Sequence, residues 1–199
     1  MFIYLAPFVV AAGMPWIAPA ERLRPLQVAG LLLAFAAVVW AFAEGFTAPA
    51  AGPRQWLGDA LGLAAAVLWG LTTLTLRATR LSTATPEKTL LYQLGVAGLA
   101  LTAASLLQGE PWPAQVALVP ALALAFQLVV VSFGSFLLWF WLMRHYPATR
   151  ISAYTLLTPL FGLLAGMLLL DEPLTPRLLL ALAGVCAGIW LVNRPLPRL

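Results

Sequence analysis

Residues 116–142 read VALVPALALAFQLVVVSFGSFLLWFWL and contain no charged side chain. A transmembrane α-helix needs about 20 predominantly apolar residues in a row, so this stretch is long enough to cross a bilayer. The rest of the chain has the same character, since 62% of its 199 residues are hydrophobic and 9% are charged. A soluble domain has about 25% charged residues. The composition therefore excludes a soluble domain, a disordered chain and a secreted disulfide scaffold, and it indicates an integral membrane protein.

Charged and turn-forming residues divide the chain into seven apolar runs, which lack the alternating pattern of membrane-spanning strands. Because hydrocarbon admits only helices or closed barrels, these runs are predicted to be helices. The expected fold is an all-α integral membrane protein with about seven transmembrane helices. The runs lie at residues 2–18, 26–43, 57–76, 89–107, 116–142, 151–170 and 178–193.

Lysine and arginine residues indicate which way the helices run. Since consecutive helices cross the membrane in opposite directions, the breaks form two sets, one with nine basic residues and one with two, Arg54 and Arg177. The positive-inside rule places the larger set and the C-terminus in the cytoplasm. This topology explains the net charge of +4 without a polybasic site for nucleic acid or lipid. The larger set is Arg22, Arg24, Arg77, Arg80, Lys88, Arg144, Arg150, Arg194 and Arg198.

A two-part motif occurs twice in the chain. Leu-x-Pro at residues 5–7 is followed by Glu-x-Leu-x-Pro at 21–25, and the same pair recurs at 157–159 and 172–176. By the charge count, the two Glu-x-Leu-x-Pro segments lie on opposite sides of the membrane, which is typical of an inverted repeat of five plus five helices. The first copy would then lack three helices, which predicts roughly 90–100 residues upstream of Met1.

Several short motifs follow one another in order between residues 58 and 174. They are Gly-Asp-Ala-Leu-Gly at 58–62, Leu-Trp-Gly at 68–70, Arg-His-Tyr-Pro-Ala-Thr-Arg at 144–150, Leu-Thr-Pro at 157–159 and Glu-Pro-Leu at 172–174. Their order and spacing resemble the EamA-type domain of the drug/metabolite transporter superfamily. The resemblance implies a multi-pass carrier of the bacterial inner membrane that exports small metabolites, amino acids or drugs by alternating access, present here as an N-terminally truncated chain.

The resemblance also implies how the chain is organised. Residues 1–44 would be the last two helices of the first repeat, 45–56 an outer linker, 57–194 a complete five-helix second repeat, and 195–199 a cytoplasmic tail. The implied partners are the lipid bilayer and a small-molecule substrate, with a homodimer left open, and neither a nucleic acid nor a cofactor is expected.

Polar and aromatic side chains inside the apolar runs are the candidates for a transport path, because polar groups are costly in hydrocarbon. Thr72 and Thr73 follow Trp69 by three and four residues, so the three are expected to share a helix face. Packing is the alternative for each hydroxyl, since Ser and Thr in membrane helices bond to the preceding turn or to a neighbouring helix. The predicted substrate-binding set, which suits small amphipathic solutes, is Trp69, Thr72, Thr73, Gln93, Ser132, Ser135, Trp139, Tyr154 and Thr158.

Prolines and glycines within the runs suggest hinges and packing seams. Pro7 and Pro159 occupy equivalent places in the two motif copies, and each removes a helix hydrogen bond. They are predicted hinge residues, with a static kink as the alternative. Glycines four residues apart, at 162 and 166 and at 184 and 188, are predicted to be packing seams where helices approach closely.

The acidic residues and the single histidine bear on the remaining function classes. All seven acidic residues lie at the ends of runs or between them, so no carboxylate for ion coupling is expected at membrane depth. Ser135 and His145 are ten residues apart on one predicted helix, too far for a Ser–His pair, and no metal-ligand cluster is evident. An enzyme is therefore disfavoured, while a non-transporting scaffold or a nonfunctional fragment remains the alternative to a carrier.

Overall fold

The computed structural model describes residues 2–43, 52, 54–111, 117–170 and 176–194. Every regular element in these ranges is a helix, as the composition predicts. Four helical segments have the length and composition to cross a membrane: Gln55–Ala78, Pro86–Gln108, Leu118–His145 and Ala148–Leu169. Three shorter apolar segments accompany them, at Phe2–Ile17, Pro25–Ala41 and Leu179–Asn193.

The α-helices are α1 (Ala6–Ile17), α2 (Pro25–Ala41), α3 (Gln55–Ala78), α4 (Pro86–Gln108), α5 (Leu118–Phe126), α6 (Phe136–His145), α7 (Ala148–Tyr154), α8 (Thr158–Leu170) and α9 (Pro176–Asn193). A π-helix, Gln127–Ser135, connects α5 to α6. Short 3₁₀ turns lie at Phe2–Leu5, Pro19–Glu21, Arg80–Thr83 and Thr155–Leu157.

The helix ends follow from local chemistry. Helices α2 and α4 each begin at a proline, at residues 25 and 86, because the first helical position needs no N–H donor and favours the fixed proline φ. The Thr85 hydroxyl accepts a hydrogen bond from the Lys88 backbone N–H at 3.4 Å and caps α4. Gly109 ends α4 in the left-handed region, with φ of 66°, where an L side chain would be strained.

The chain forms two compact units. The first unit comprises Met1–Ala78 and Pro147–Leu199, and the second comprises Thr79–Tyr146. Much of the buried core lies in the first unit, among side chains of α2, α7, α8 and α9 and the 3₁₀ turn Thr155–Leu157. The buried members of this core are Leu31, Ala34, Val38, Ala153, Leu156, Leu160, Ala181, Val185, Ile189 and Val192.

Helices α2 and α9 form an antiparallel pair at the centre of the first unit. At one end the Gln27 side-chain amide donates to the Val192 carbonyl oxygen at 2.8 Å, and at the other Arg177 Nε donates to the carbonyl oxygen of Trp40 at 2.9 Å. Between them, a Cβ atom on Gly30 would lie 2.7 Å from the carbonyl oxygen of Gly188. The close crossing therefore requires glycine on both helices.

The predicted glycine seams have different outcomes. A Cβ atom on Gly184 would lie 2.8 Å from the Cβ of Ala37, so the seam at 184 and 188 is confirmed. A Cβ atom on Gly162 would meet no described atom within 4 Å, so the described residues show no close helix contact there. A four-residue spacing places two glycines on one face, but it does not determine whether another helix lies against that face.

Helix α1 packs against α3 and α7 in the same unit. A Cβ atom on Gly70 of α3 would lie 3.1 Å from the carbonyl oxygen of Ala6, so α1 and α3 also approach closely. The ring of Phe8 meets Phe35 of α2 edge to face, with centroids 5.1 Å apart. Helix α1 is thus anchored on several sides.

The second unit buries far less of its apolar surface. Pro86, Thr89 and Leu90 are the buried residues of α4, all in its first turns, while α6 buries Phe140 and Met143. Helix α4 packs against α6, and the 3₁₀ turn Arg80–Thr83 also contacts α6. Most other apolar side chains of this unit face outward, as expected of helices surrounded by lipid.

Candidate functional site

The three candidates on α3 differ in how deeply they are buried. Trp69 is half-buried and Thr73 is buried, whereas Thr72 is exposed. Residues three and four positions apart lie within about 100° of one another around an α-helix, so the three side chains share a face of which Thr73 lies on the packed edge and Thr72 on the exposed edge. The Thr72 hydroxyl donates to the Leu68 carbonyl oxygen at 2.9 Å, and the Thr73 hydroxyl donates to that of Trp69 at 3.5 Å. Both hydroxyls therefore bond to the preceding turn.

Tyr154 and Thr158 flank a break in the helical segment that follows residue 147. The 3₁₀ turn Thr155–Leu157 separates α7 from α8, and both candidates are exposed. Pro159 is the second residue of α8, and it provides no N–H for the Thr155 carbonyl. The proline therefore explains why the α-helical pattern is interrupted at this point.

The same arrangement occurs at Pro7. This residue is the second of α1 and follows the 3₁₀ turn Phe2–Leu5, just as Pro159 follows Thr155–Leu157. Residues 7 and 159 are equivalent in the two copies of the sequence motif. Both copies thus place a 3₁₀ turn directly before a helix whose second residue is proline, which is a structural likeness beyond the sequence pattern.

The candidates in the second unit lie on α4, the π-helix and α6. Gln93, Ser132 and Trp139 are half-buried, and Ser135 is exposed. The Ser135 hydroxyl donates to the Val131 carbonyl oxygen at 2.6 Å, so it too bonds within its own helix.

The π-helix changes which side chains share a face. Its hydrogen bonds join residues i and i+5 rather than i and i+4, so the three-residue separation of Ser132 and Ser135 does not place them on one face as it would in an α-helix. Residues five apart now lie on successive turns, which brings Gln127 and Ser132 to similar positions around the axis. The apolar sequence contains no signal that indicates a π-helix at this position.

The predicted set thus divides between the two units. In the first unit, helix α1 contacts α3, which contains Trp69, Thr72 and Thr73, and α7, which contains Tyr154. The first unit contains Trp69, Thr72, Thr73, Tyr154 and Thr158, and the second contains Gln93, Ser132, Ser135 and Trp139.

A polar junction around Glu21 was missed at the sequence level. One carboxylate oxygen of Glu21 lies 3.0 Å from an Arg77 guanidinium nitrogen, and both side chains are less than one-fifth exposed. The other carboxylate oxygen accepts a hydrogen bond from the Ala148 backbone N–H at 2.6 Å. The Thr149 hydroxyl donates to the Glu21 carbonyl oxygen at 3.1 Å. Glu21 therefore joins the α1–α2 turn to the end of α3 and the start of α7.

The junction also satisfies a helix terminus. Pro147 precedes α7 and provides no side-chain cap, so a first-turn N–H of α7 depends on the Glu21 carboxylate. A negative charge at this end is favoured by the helix dipole. The sequence signal was present in the Glu-x-Leu-x-Pro motif, but Arg77 and Ala148 are too distant in sequence to be identified as its partners.

Some of the sequence features lie outside the described residues, namely Glu44, Asp171 and the second loop motif up to Thr175. Within the described ranges, no group of three or more His, Cys, Asp or Glu residues is arranged to hold a metal ion.

Comparison with known proteins identifies relatives of the chain. Residues 56–194 match the sequence model of the EamA-like transporter family. The chain is 30% identical over 193 residues to "Uncharacterized transporter YvbV" of Bacillus subtilis (strain 168), an alignment that covers 93% of the chain but 59% of the relative. It is 35% identical over 72 residues to an "Uncharacterized transporter" of Archaeoglobus fulgidus, covering 36% of the chain and 26% of that relative. No solved structure gives a significant match to the chain.

Proposed function

Because the chain belongs to the EamA-like transporter family, we propose that it moves small amphipathic metabolites, amino acids or drugs outward across the bacterial inner membrane by alternating access. The observation that carries the proposal is the family match over residues 56–194, which cover most of the described helices. The family and both named relatives point to a transporter rather than an enzyme. The chain spans 59% of the length of YvbV.

We assign residues 1–44 to the end of one repeat, 45–56 to a linker, 57–194 to a second repeat of inverted topology and 195–199 to a tail. The α2–α9 pair supports this assignment, because the two helices are 151 residues apart in the motif register and pack antiparallel. Ala34 and Val185 are equivalent in that register, and both are fully buried in the same core. Repeats of inverted topology are related by a pseudo-twofold axis in the membrane plane, which makes equivalent helices antiparallel.

Polar groups beside the helix breaks within each unit support their assignment as substrate contacts. Gln127 and Ser132 occupy the π-helix, and Tyr154 and Thr158 flank the 3₁₀ turn that precedes Pro159. Irregular helical geometry frees backbone polar groups, and it is tolerated at membrane depth where it faces protein or a cavity. Hydroxyls, an amide and aromatic rings suit a small amphipathic solute, and Pro7 and Pro159 are the proposed hinges of the gating motion.

The nine-to-two distribution of basic residues supports a cytoplasmic C-terminus. The sidedness can be measured separately from transport. Cys186 is the one cysteine of the sequence, so a Cys186→Ala background with a single cysteine appended after Leu199 gives a defined label. A membrane-impermeant thiol reagent applied to intact cells should leave this cysteine unlabelled and should label it after permeabilisation. Labelling in intact cells would contradict the proposed orientation.

Transport is tested in inside-out vesicles from cells that express the chain, with radiolabelled neutral amino acids and amphipathic drugs as probes. Wild-type vesicles are expected to accumulate at least one probe above vesicles without the chain. Ser132→Phe should abolish this accumulation by filling the path, whereas Val129→Phe, on an exposed part of the same π-helix, should not. Equal accumulation with and without the chain for every probe would favour the scaffold alternative, and equal effects of both variants would remove Ser132 from the site.

A further inference from the structure

A cleft of about 730 Å³ lies beside the turn that joins α1 to α2. One wall is the turn itself, at residues 19–24 without Glu21, and the other wall is formed by α2. The lining residues of α2 are Pro25, Val28, Ala29 and Leu32, whose spacing of three and four places them on one helix face.

This face of α2 is distinct from the one that packs in the core. The buried residues of the helix include Gln27, Leu31 and Ala34, whereas Val28 is 40% and Leu32 is 53% exposed. The cleft therefore opens away from the core, toward the surroundings of the first unit. The apolar wall runs along α2 from Pro25 to Leu32.

The cleft contains positive charge and no opposing negative charge. Arg22 and Arg24 line it and are both exposed. Glu21 directly precedes Arg22 in the sequence, but it does not line the cleft. Its carboxylate instead binds Arg77 and the Ala148 N–H. In the part of the chain that the structure describes, no acidic residue lines the cleft, so the arginines are available for an external anion.

The turn that presents the two arginines is held in place. Prolines 19 and 25 restrict φ at its two ends. The Arg24 backbone N–H donates to the Gln27 side-chain oxygen at 3.0 Å, and the Gln27 amide is bonded in turn to Val192 of α9. A binding surface that is fixed before the ligand arrives loses less conformational freedom on binding.

We propose that this cleft binds an anionic phospholipid, with the phosphodiester between Arg22 and Arg24 and the first part of an acyl chain along Val28 and Leu32. Guanidinium groups match phosphate oxygens in charge and geometry, and basic pockets at the membrane surface are suited to lipid headgroups. A free phosphate ion would use the arginines alone, whereas a phospholipid also uses the apolar wall. The two arginines therefore do more than define topology.

The proposal is tested with the full chain purified in lipid nanodiscs that contain phosphatidylcholine and a minor fraction of phosphatidylglycerol. Native mass spectrometry of the released protein measures which lipid stays bound. The wild type is expected to retain phosphatidylglycerol well above its bulk fraction, and Arg22→Gln/Arg24→Gln should reduce retention to that fraction. The matched control is Arg80→Gln/Arg144→Gln, which removes two exposed arginines of the same predicted side and should retain the enrichment. No enrichment in the wild type, or equal loss in both double variants, would overturn the proposal.

A second pair of variants distinguishes a lipid from a phosphate ion. Val28→Gln/Leu32→Gln is expected to weaken retention of phosphatidylglycerol, while Val67→Gln/Leu71→Gln, an exposed pair with the same spacing on α3, is not. Excess inorganic phosphate should leave the lipid bound. Complete displacement by phosphate, with no effect of the Val28/Leu32 variant, would identify an ion site and refute the lipid proposal. Circular dichroism of each variant checks that the helices are formed. None of these readouts depends on transport.

Discussion

Helix α2 and the segment Leu118–His145 are both strongly apolar, but they relate very differently to the rest of the chain. Helix α2 buries one face against α9, with Gly30 and Gly188 in backbone contact distance. No residue of the most apolar window in Leu118–His145 is buried. In α4, which belongs to the same unit, a Cβ atom on Gly95 or Gly98 would meet nothing within 4 Å.

The difference shows what holds membrane helices together. Lipid tails solvate leucine as well as another helix does, so hydrophobicity alone brings no two helices into contact in a bilayer. The first unit adds polar bonds between residues that are distant in sequence, such as Gln27 to Val192 and Glu21 to Ala148. In the second unit, the Ser135 hydroxyl bonds locally, to the Val131 carbonyl oxygen of its own helix. Small residues and long-range polar bonds therefore accompany the close packing of the first unit.

The largest effect should come from breaking the glycine contact of the packed unit. Gly30→Val places a side chain against the backbone of Gly188, which cannot move aside as a flexible side chain could. We expect a loss of about 3 kcal/mol in the free energy of unfolding, the upper range for overpacking. Denaturation in a lipid–detergent mixture measures it. Gly98→Val, with open space around the glycine, is the control, and a similar loss in both variants would contradict the comparison.

The next effect should come from the Glu21 junction. Glu21→Gln removes the charge that pairs with Arg77 and caps α7, and we expect a loss of about 2 kcal/mol, as for a hydrogen-bonded charged group. The same unfolding experiment applies, and amide exchange at the start of α7 should become faster. The control is Glu87→Gln, which also replaces a carboxylate with an amide but lies at the exposed start of α4, outside the described ion pair. If Glu21→Gln were as stable as this control, long-range polar bonds would not distinguish the units.

The smallest effect should come from the second unit. Ser135→Ala removes the hydrogen bond to Val131 at an exposed position, and such local bonds to the preceding turn contribute little to stability. We expect a change below about 0.5 kcal/mol in the free energy of unfolding. A loss as large as that of Glu21→Gln would show that the two units do not differ as described.

The all-helical membrane fold could be predicted because an apolar run of sufficient length forms a helix in a bilayer whatever the rest of the chain does. The seam at Gly184 and Gly188 was also predictable, since small residues at that spacing are typical of close helix contacts. Gly162 shows the limit, because only the fold determines which face meets another helix. The π-helix had no signal in its apolar sequence, and it changed the positions of Ser132 and Ser135 around the axis. The partners of Glu21 depend on contacts across more than fifty residues.

The bond between Arg177 and Trp40 has a consequence for the synthesis of the protein. The two residues are 137 positions apart, and translation proceeds at about 5–20 residues per second. Helix α2 therefore leaves the ribosome roughly 10 s before α9 can cap its carboxyl end. The glycine contact and the bond from Gln27 also depend on α9. During that interval α2 must be held by lipid or by the insertion machinery, and the arrival of the last helix completes the core of the first unit.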